Sequence, residues 1–137
     1  MLQLLYISTA RTPITTAMCE DILAASRRNN RASMTTGLLV AGQRRFLQAL
    51  EGPDEQVRAT YHHIAKDPRH YACVILAQRQ VERRHFGDWA MGFTAGGDDR
   101  MLTDDLAATV AALVVPLADP DLRAQFTGFA ELQSRAG

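Results

Sequence analysis

The chain has 137 residues, a length that suits one domain with a substantial apolar core. Hydrophobic residues make up 47% of the sequence, charged residues 22%, and the formal net charge at pH 7 is zero. A neutral chain has no overall field that would draw it to nucleic acid or to an anionic membrane, so we expect neither as a partner.

Apolar alternation and helical periodicity predict five elements before residue 68. They are a strand over Leu2–Ser8, a helix from Thr16 to about Asn30, strands over Thr36–Ala41 and Arg45–Glu51, and a helix that begins at Asp54. Gly42 and Gln43 suit the turn of a hairpin between the middle two strands. Asp54 suits an N-cap, and Pro68 ends the second helix because proline disfavours helical geometry in the residue before it.

Two strands and two helices complete the prediction. They are strands over Tyr71–Gln78, with Val74–Ala77 as its apolar core, and Trp89–Thr94, then, after a glycine-rich break at 96–99, helices over Thr103–Val115 and Asp119–Gln133. The order βαββαββ indicates a ferredoxin-like α+β fold with both long helices on one face of the sheet. The apolar tail is expected to cover the other face or that of a partner chain. We therefore expect a domain over residues 1–97 and a helical cap or output segment over 98–137.

The two cysteines, Cys19 and Cys73, are far apart and in apolar contexts, which is typical of reduced thiols. The N-terminal residues lack the basic region and the long apolar run of a signal peptide. No apolar run is long enough to span a bilayer. We expect a cytoplasmic protein.

Gln48 is the least expected residue of the predicted sheet. It lies in an apolar run with Phe46, and because side chains alternate along a strand, both point to the same face. A buried amide without partners costs about 1–3 kcal/mol. The first and third strands are neighbours in this topology, so Tyr6, which faces the helices by the same alternation, lies within reach of Gln48. Either Trp89 or Met91 of the fifth strand can join them.

The two long helices are expected to build walls above this polar floor. By helical spacing, the residues placed over it are Ile22, Ser26, Asn29, Asn30 and Ile64. Apolar walls and an amide floor suit a flat heteroaromatic ring better than water. Taken singly, most of these residues are ordinary core or helix-end residues, but glutamine is rarely fully buried. The prediction that this site binds a ligand therefore rests on Gln48.

Five blocks of sequence, in order, resemble the BLUF domain, the flavin-binding blue-light sensor. The blocks are Tyr6-Ile7-Ser8, Asn29-Asn30 with Thr35-Thr36-Gly37-Leu38-Leu39, Phe46-Leu47-Gln48-Ala49-Leu50-Glu51-Gly52, Asp67-Pro68-Arg69-His70 and Phe86-Gly87-Asp88-Trp89-Ala90-Met91. The resemblance covers about residues 2 to 95, which would make 1–97 the photosensor domain. The tail resembles that of single-domain members, which have two C-terminal helices and no attached enzyme. On this resemblance the chain is not itself an enzyme.

The resemblance implies a non-covalent flavin between the two long helices, FAD, with FMN or riboflavin as alternatives. Ile22 and Ile64 would flank the ring. Asn30 would bind its C4 carbonyl and N3–H edge, and Arg69, with Asp67, would serve the C2 carbonyl side. The full set of implied cofactor contacts is Tyr6, Ile22, Ser26, Asn29, Asn30, Gln48, Ile64, Asp67 and Arg69.

The resemblance also implies a photochemical role for four residues. Tyr6 would donate an electron and then a proton through Gln48 to the excited flavin. Charge recombination would leave Gln48 rotated or in an imidic tautomer, with a new hydrogen bond to the flavin and a small red shift of its absorption. Met91 or Trp89 would pass the change to the fifth strand and to the tail, and a downstream effector protein would read it.

Two other functions stay open on the residues alone. A metal-assisted hydrolase would use Asp67 and the four histidines, but adjacent histidines on a helix face different directions, and no H-x₃-H or H-E-x-x-H spacing is present. We therefore expect no metal site. A ferredoxin-like dimerisation or ligand-sensing module would explain the fold and tail but not why Gln48 faces Tyr6. The apolar tail favours a homo-oligomer, a dimer or larger, in either case.

Overall fold

Five strands form one mixed sheet in the computed structural model, which describes residues 1–87, 89, 91–95 and 105–136. The strands are β1 (Leu2–Ala10), β2 (Thr36–Ala41), β3 (Arg45–Gly52), β4 (His70–Gln80) and β5 (Gly92–Ala95). Their order is β4-β1-β3-β2-β5. β5 runs parallel to β2 and the other pairs are antiparallel. The first four strands have the ferredoxin-like order, as predicted.

Two pairs of helices cover the two faces of this sheet. They are α1 (Thr16–Ser33) and α2 (Asp54–Ala65) on one face, and α3 (Leu106–Leu113) and α4 (Pro120–Ala136) on the other. Leu4 and Leu50 pack with Leu23 of α1 and Val57 of α2. Leu5 and Ala49, which are adjacent to Leu4 and Leu50 on the same strands, pack with side chains of α3 and α4, among them Val110 and Phe126. The α+β fold with C-terminal helices on the far face is confirmed.

The ends of α1 and α2 differ from the prediction in two places. α1 begins where the Thr15 hydroxyl accepts the Met18 amide at 3.2 Å, but it continues past Asn30 to Ser33. Met34 ends it in a left-handed conformation, with φ 57°, and its amide donates to the Asn30 carbonyl. The cap of α2 is Pro53, not Asp54, which accepts a hydrogen bond from Gln80 instead. Asp54 then lies in the first turn, where a carboxylate still favours the helix dipole.

The predicted burial of β4 also differs from the structure. Its apolar run was expected to be a buried core, but Val74 is 53% exposed, Ile75 42% and Leu76 44%. β4 is an outer strand of the sheet, and its pairing with β1 is irregular next to Tyr6. An outer strand has neighbours on one side alone, so apolarity there does not imply burial.

The remaining boundaries shift by a few residues. β1, β3 and β4 are longer than predicted, β5 begins at Gly92 rather than Trp89, and α4 extends to Ala136. The glycine-rich break, the predicted start of α3 at Thr103 and the expected division between 97 and 98 lie outside the described residues, so that division stays a prediction. In the described part of the chain, no helix is both long enough and apolar enough to cross a bilayer. Both cysteines are free thiols.

Candidate functional site

A cavity of about 340 Å³ opens between α1 and α2, above the centre of the sheet. Small-molecule sites in proteins are usually about 300–1,000 Å³ in volume. All nine predicted cofactor contacts line it: Tyr6, Ile22, Ser26, Asn29, Asn30, Gln48, Ile64, Asp67 and Arg69. Strand and helical periodicities placed seven of these side chains at the cavity, and the resemblance supplied the other two, Asp67 and Arg69.

The floor of the cavity is a hydrogen-bonded pair. Tyr6 and Gln48 are direct partners in the antiparallel pairing of β1 with β3. Both are 2% exposed, and the Tyr6 hydroxyl donates to Gln48 Oε1. Burial raises the pKa of Tyr6 well above its usual value, and nearby Cys73 and Tyr61 raise it further. Tyr6 is therefore a neutral phenol with its proton directed at the amide.

The other end of the same amide meets Met91. Gln48 Nε2 donates to Met91 Sδ at 3.4 Å, and Met91 is 2% exposed. Arg27 of α1 donates from Nε and Nη2 to the Met91 carbonyl, each at 3.1 Å. Gln48 therefore joins the phenol on β1 to the residue that precedes β5, and α1 anchors that residue from above.

Trp89 does not share this face, which corrects the prediction that Trp89 and Met91, two residues apart on the fifth strand, point to the same face. It packs against the apolar cluster on the far side of the sheet, and its carbonyl accepts the Gly37 amide at 3.0 Å. The reason is that β5 begins only at Gly92, so strand alternation does not extend back to Trp89. Met91 is the one that contacts Gln48.

The walls and far edge of the cavity combine apolar and amide groups. Ile22 and Ile64 are partly buried and line the cavity, one from each helix. Asn30 is 1% exposed, whereas Asn29 is exposed at the mouth. Ser26 lies between Ile22 and Asn29 on α1 and also lines the cavity. Asn30 therefore lines the cavity from within α1, which ends only at Ser33.

Asp67 and Arg69 form an ion pair at the rim. Arg69 Nε lies 3.0 Å from both carboxylate oxygens of Asp67, and Arg69 Nη2 lies 2.5 Å from Oδ2. The hydrogen bonds from Arg69 lower the pKa of Asp67, and the carboxylate in turn raises the pKa of Arg69. The pair fixes a guanidinium, an obligate hydrogen-bond donor, at the edge of the cavity.

Sequence reasoning missed several lining residues. They are Ala25, Ser33, Leu39, Ala59, Thr60, His63 and His70. His70 is the most informative, because one ring nitrogen lies 2.8 Å from Ser8 Oγ and the other 2.6 Å from the Ile64 carbonyl. It thereby ties β1 to the end of α2. Phe46 also lines the cavity, on the face that it was predicted to share with Gln48.

The residues present fit a flavin ring by their chemistry. A flavin edge alternates carbonyl acceptors with an N–H donor, which the amides of Gln48 and Asn30 and the Arg69 guanidinium can pair with. Gln48 Nε2 has a thioether, a weak acceptor, as its protein partner, and a ring nitrogen or carbonyl is a stronger acceptor. The isoleucine walls suit the faces of the ring.

This fold and site define a flavin-type photosensor domain. The family model of BLUF, described as sensors of blue-light using FAD, matches residues 1–92. The chain belongs to the BLUF family, and its function is blue-light sensing with a bound flavin.

Two relatives agree with this assignment. The chain is 38% identical over 88 residues to the blue light- and temperature-regulated antirepressor BluF of Escherichia coli (strain K12), which covers 64% of this chain and 22% of the antirepressor. It is 30% identical over 91 residues to the photoactivated adenylate cyclase subunit beta of Euglena longa, covering 65% of this chain and 11% of that protein. The chain therefore spans about a fifth or less of the length of these relatives.

Solved structures share the fold. The dark-state structure of the BLUF protein BlrB superposes with a TM-score of 0.71 at 24% identity, covering 99% of this chain and 96% of BlrB. Klebsiella pneumoniae BlrP1 with FMN and cyclic diGMP gives a TM-score of 0.73 at 23% identity, covering 100% of this chain and 36% of BlrP1.

Proposed function

We propose that the flavin ring binds between α1 and α2 and that Tyr6, Gln48 and Met91 convert the absorption of blue light into a change of hydrogen bonding. The observation that supports this most is the single amide of Gln48, which accepts from a buried phenol and donates to Met91 Sδ. Such an amide has two orientations that differ in their partners. A ligand-sensing module without photochemistry would not need this pairing.

The remaining lining residues hold the cofactor. Ile22 and Ile64 contact the faces of the ring, and Asn30 binds its carbonyl and N–H edge. Arg69, oriented by Asp67, serves the second carbonyl side. Ser26 and Asn29, which also line the cavity from α1, complete the set of cofactor contacts.

Tyr6 and Gln48 carry out the chemistry. When bound, the flavin absorbs blue light and becomes a strong oxidant. Tyr6 is the donor of both the electron and the proton, because its hydroxyl is neutral, buried and already hydrogen-bonded to Gln48 Oε1. Gln48 relays that proton and, once electron and proton have returned to Tyr6, is left rotated or in its imidic tautomer. Either form changes the donors and acceptors that Gln48 offers to its neighbours, and Met91, bonded to Gln48 through Sδ, responds to that change.

The cofactor is proposed to be FAD, with FMN or riboflavin as alternatives. FAD is the cofactor in the family description, and BlrP1 was solved with FMN. The phosphate of FAD or FMN needs a cationic partner, and the Arg27 guanidinium is already bonded to the Met91 carbonyl. Arg28 and Arg31 are exposed on the same helix and can serve a phosphate.

The output is proposed to pass through β5 to the C-terminal helices and then to an effector protein of unknown identity. α3 and α4 lie against the sheet face opposite the cavity. The chain acts as a sensor and not as an enzyme, in the cytoplasm, and as a homo-oligomer, a dimer or larger.

An absorption spectrum before and after blue light tests the proposal. We expect the purified protein to be yellow and to show a small red shift that reverses in the dark. Chromatography of the cofactor released by heat identifies it as FAD, FMN or riboflavin. A protein that stays colourless after reconstitution with all three flavins would contradict the proposal and favour the ligand-sensing module.

A further inference from the structure

A fully buried carboxylate lies on the face of the sheet opposite the flavin cavity. Glu51 follows Gln48 on β3 by an odd number of residues, so its side chain points to the other face. Its exposed fraction is 0%. Carboxylates are almost never fully buried unless they are paired, so the partners of Glu51 indicate its role.

Glu51 holds the loop that leads to Met91. Its Oε1 accepts the backbone amides of His85 at 2.8 Å and Phe86 at 3.2 Å. Its Oε2 accepts Gln3 Nε2 at 3.0 Å and lies 3.3 Å from His85 Nδ1. These bonds connect the central strand β3 to the segment between β4 and β5, far away in sequence.

The same connection continues to α4. Gln3 Oε1 accepts Arg79 Nε at 2.9 Å, and Arg79 Nη2 is paired with Asp119 Oδ2. The second oxygen of Asp119 accepts the amides of Asp121 at 2.9 Å and Leu122 at 3.3 Å. Asp119 is therefore the N-cap of α4, and Arg79 holds that cap in place.

We propose that these four side chains form a polar relay that couples the loop before β5 to the start of α4. The relay consists of Glu51, Gln3, Arg79 and Asp119. Each member joins its neighbours through a specific donor and acceptor, so displacing the loop leaves the buried Glu51 carboxylate short of donors. The inference rests on the proposed function, because it takes Met91, which follows this loop, as the residue that registers the light-induced change. Glu51 and Arg79 are then positioning residues on the path from the flavin to the C-terminal helices.

Hydrogen exchange in the dark tests the relay without requiring photochemistry. Arg79→Met removes the middle link and leaves the Glu51 bonds to the loop in place. We expect exchange at least threefold faster at both ends, at the His85 and Phe86 amides and at the Leu122 amide. The control is Arg58→Met, an exposed arginine on α2, which should leave both ends unchanged. Faster exchange at Leu122 alone, or at neither end, would overturn the relay.

A donor-acceptor exchange gives a second, independent test. Glu51→Gln places an amide NH₂ group opposite Gln3 Nε2, so two donors face each other. Adding Gln3→Glu restores an acceptor there and keeps the total charge. We expect faster exchange at the loop and at Leu122 in the single variant and near wild-type exchange in the double variant. A double variant no better than the single one would contradict the relay.

Illumination separates failure of the relay from failure of the proposed function. In the holoprotein, Arg79→Met should keep the flavin red shift but lose most of the light-induced change in exchange in α4. A full change in α4 with Arg79→Met would overturn the relay. If the wild type shows no red shift, the proposed function fails, and the dark exchange at both ends still decides whether the relay exists.

Discussion

The side-chain amide of Gln48 lies between the Tyr6 hydroxyl and the Met91 sulfur, with its oxygen toward the phenol and its nitrogen toward the thioether. This orientation is specific, because a thioether sulfur accepts hydrogen bonds but cannot donate them. Rotation of the amide by 180° would place its oxygen against the sulfur and lose that bond. The phenol, which can both donate and accept, keeps a partner in either orientation. The two orientations therefore differ at Met91 and in the hydrogen-bonding group offered to the cavity.

Alkaline titration tests the buried state of Tyr6. Burial raises its pKa well above about 10, the ordinary value for tyrosine. We expect the amplitude of the flavin red shift to be constant between pH 7 and pH 10, because the phenol keeps its proton throughout. Tyr71→Phe, which replaces an exposed tyrosine, is the control and should give the same profile. A loss of amplitude centred near pH 10 that depends on Tyr6 would show that the phenol is solvated.

Arg27→Met tests the anchor of Met91. It removes two hydrogen bonds from a charged donor to the Met91 carbonyl, and bonds to charged groups contribute about 1.5–3 kcal/mol. We expect amide exchange in residues 92–95 to become about tenfold faster, a change of about 1.4 kcal/mol. The flavin red shift should persist, because Tyr6 and Gln48 are unchanged. Arg28→Met on the exposed side of α1 is the control, and equal effects of both substitutions would contradict the anchor.

Asn30→Ala tests the buried amide on α1. Loss of a hydrogen bond from a buried group costs about 1–2 kcal/mol, so we expect the Kd for flavin to rise about tenfold. Asn29→Ala should change it less than threefold, because Asn29 is exposed at the mouth of the cavity. Fluorescence titration of flavin into the two variants measures both constants. A larger effect at Asn29 than at Asn30 would reverse the assignment.

The Asp67–Arg69 ion pair should make a small, pH-dependent contribution to stability. Arg69 lowers the pKa of Asp67, so the contribution is present above about pH 3.9, the unfolded value, and is lost as pH falls through the lower folded pKa. Because the pair is partly exposed, we expect Asp67→Asn to cost about 0.2–1 kcal/mol at pH 6. Urea unfolding at fixed flavin concentration, at pH 6 and at pH 3, measures the difference, with Glu131→Gln as an exposed control. A cost that grows as pH falls would refute this sign.

The floor of the site was predictable because it depends on a strict period. Side chains alternate along every strand and β1 neighbours β3, so alternation and strand order place Tyr6 and Gln48 on the same face of adjacent strands. The structure adds the register that pairs them directly. Helical spacing placed Ile22 and Ile64 in the same way. These rules need no distances.

Other features depended on tertiary position, for which the sequence carries no local signal. Alternation predicted the same face for Trp89 and Met91, which is wrong for Trp89 because β5 begins only at Gly92. The apolar run at Val74 in β4 was taken for core because periodicity does not distinguish an outer strand from a central one. Glu51 lies in one of the five blocks that resemble the BLUF domain. Its contacts were not predicted, because its partners Gln3 and His85 lie far from it in sequence.

Light-minus-dark absorption of Gln48→Leu tests the central claim most directly. Leucine is apolar and one bond shorter, and it can neither accept a hydrogen bond from Tyr6 nor donate one to Met91. We expect the variant to bind flavin and to lose the reversible red shift completely, whereas Gln56→Leu, an exposed glutamine on α2, keeps it. A normal red shift in flavin-loaded Gln48→Leu would contradict the account.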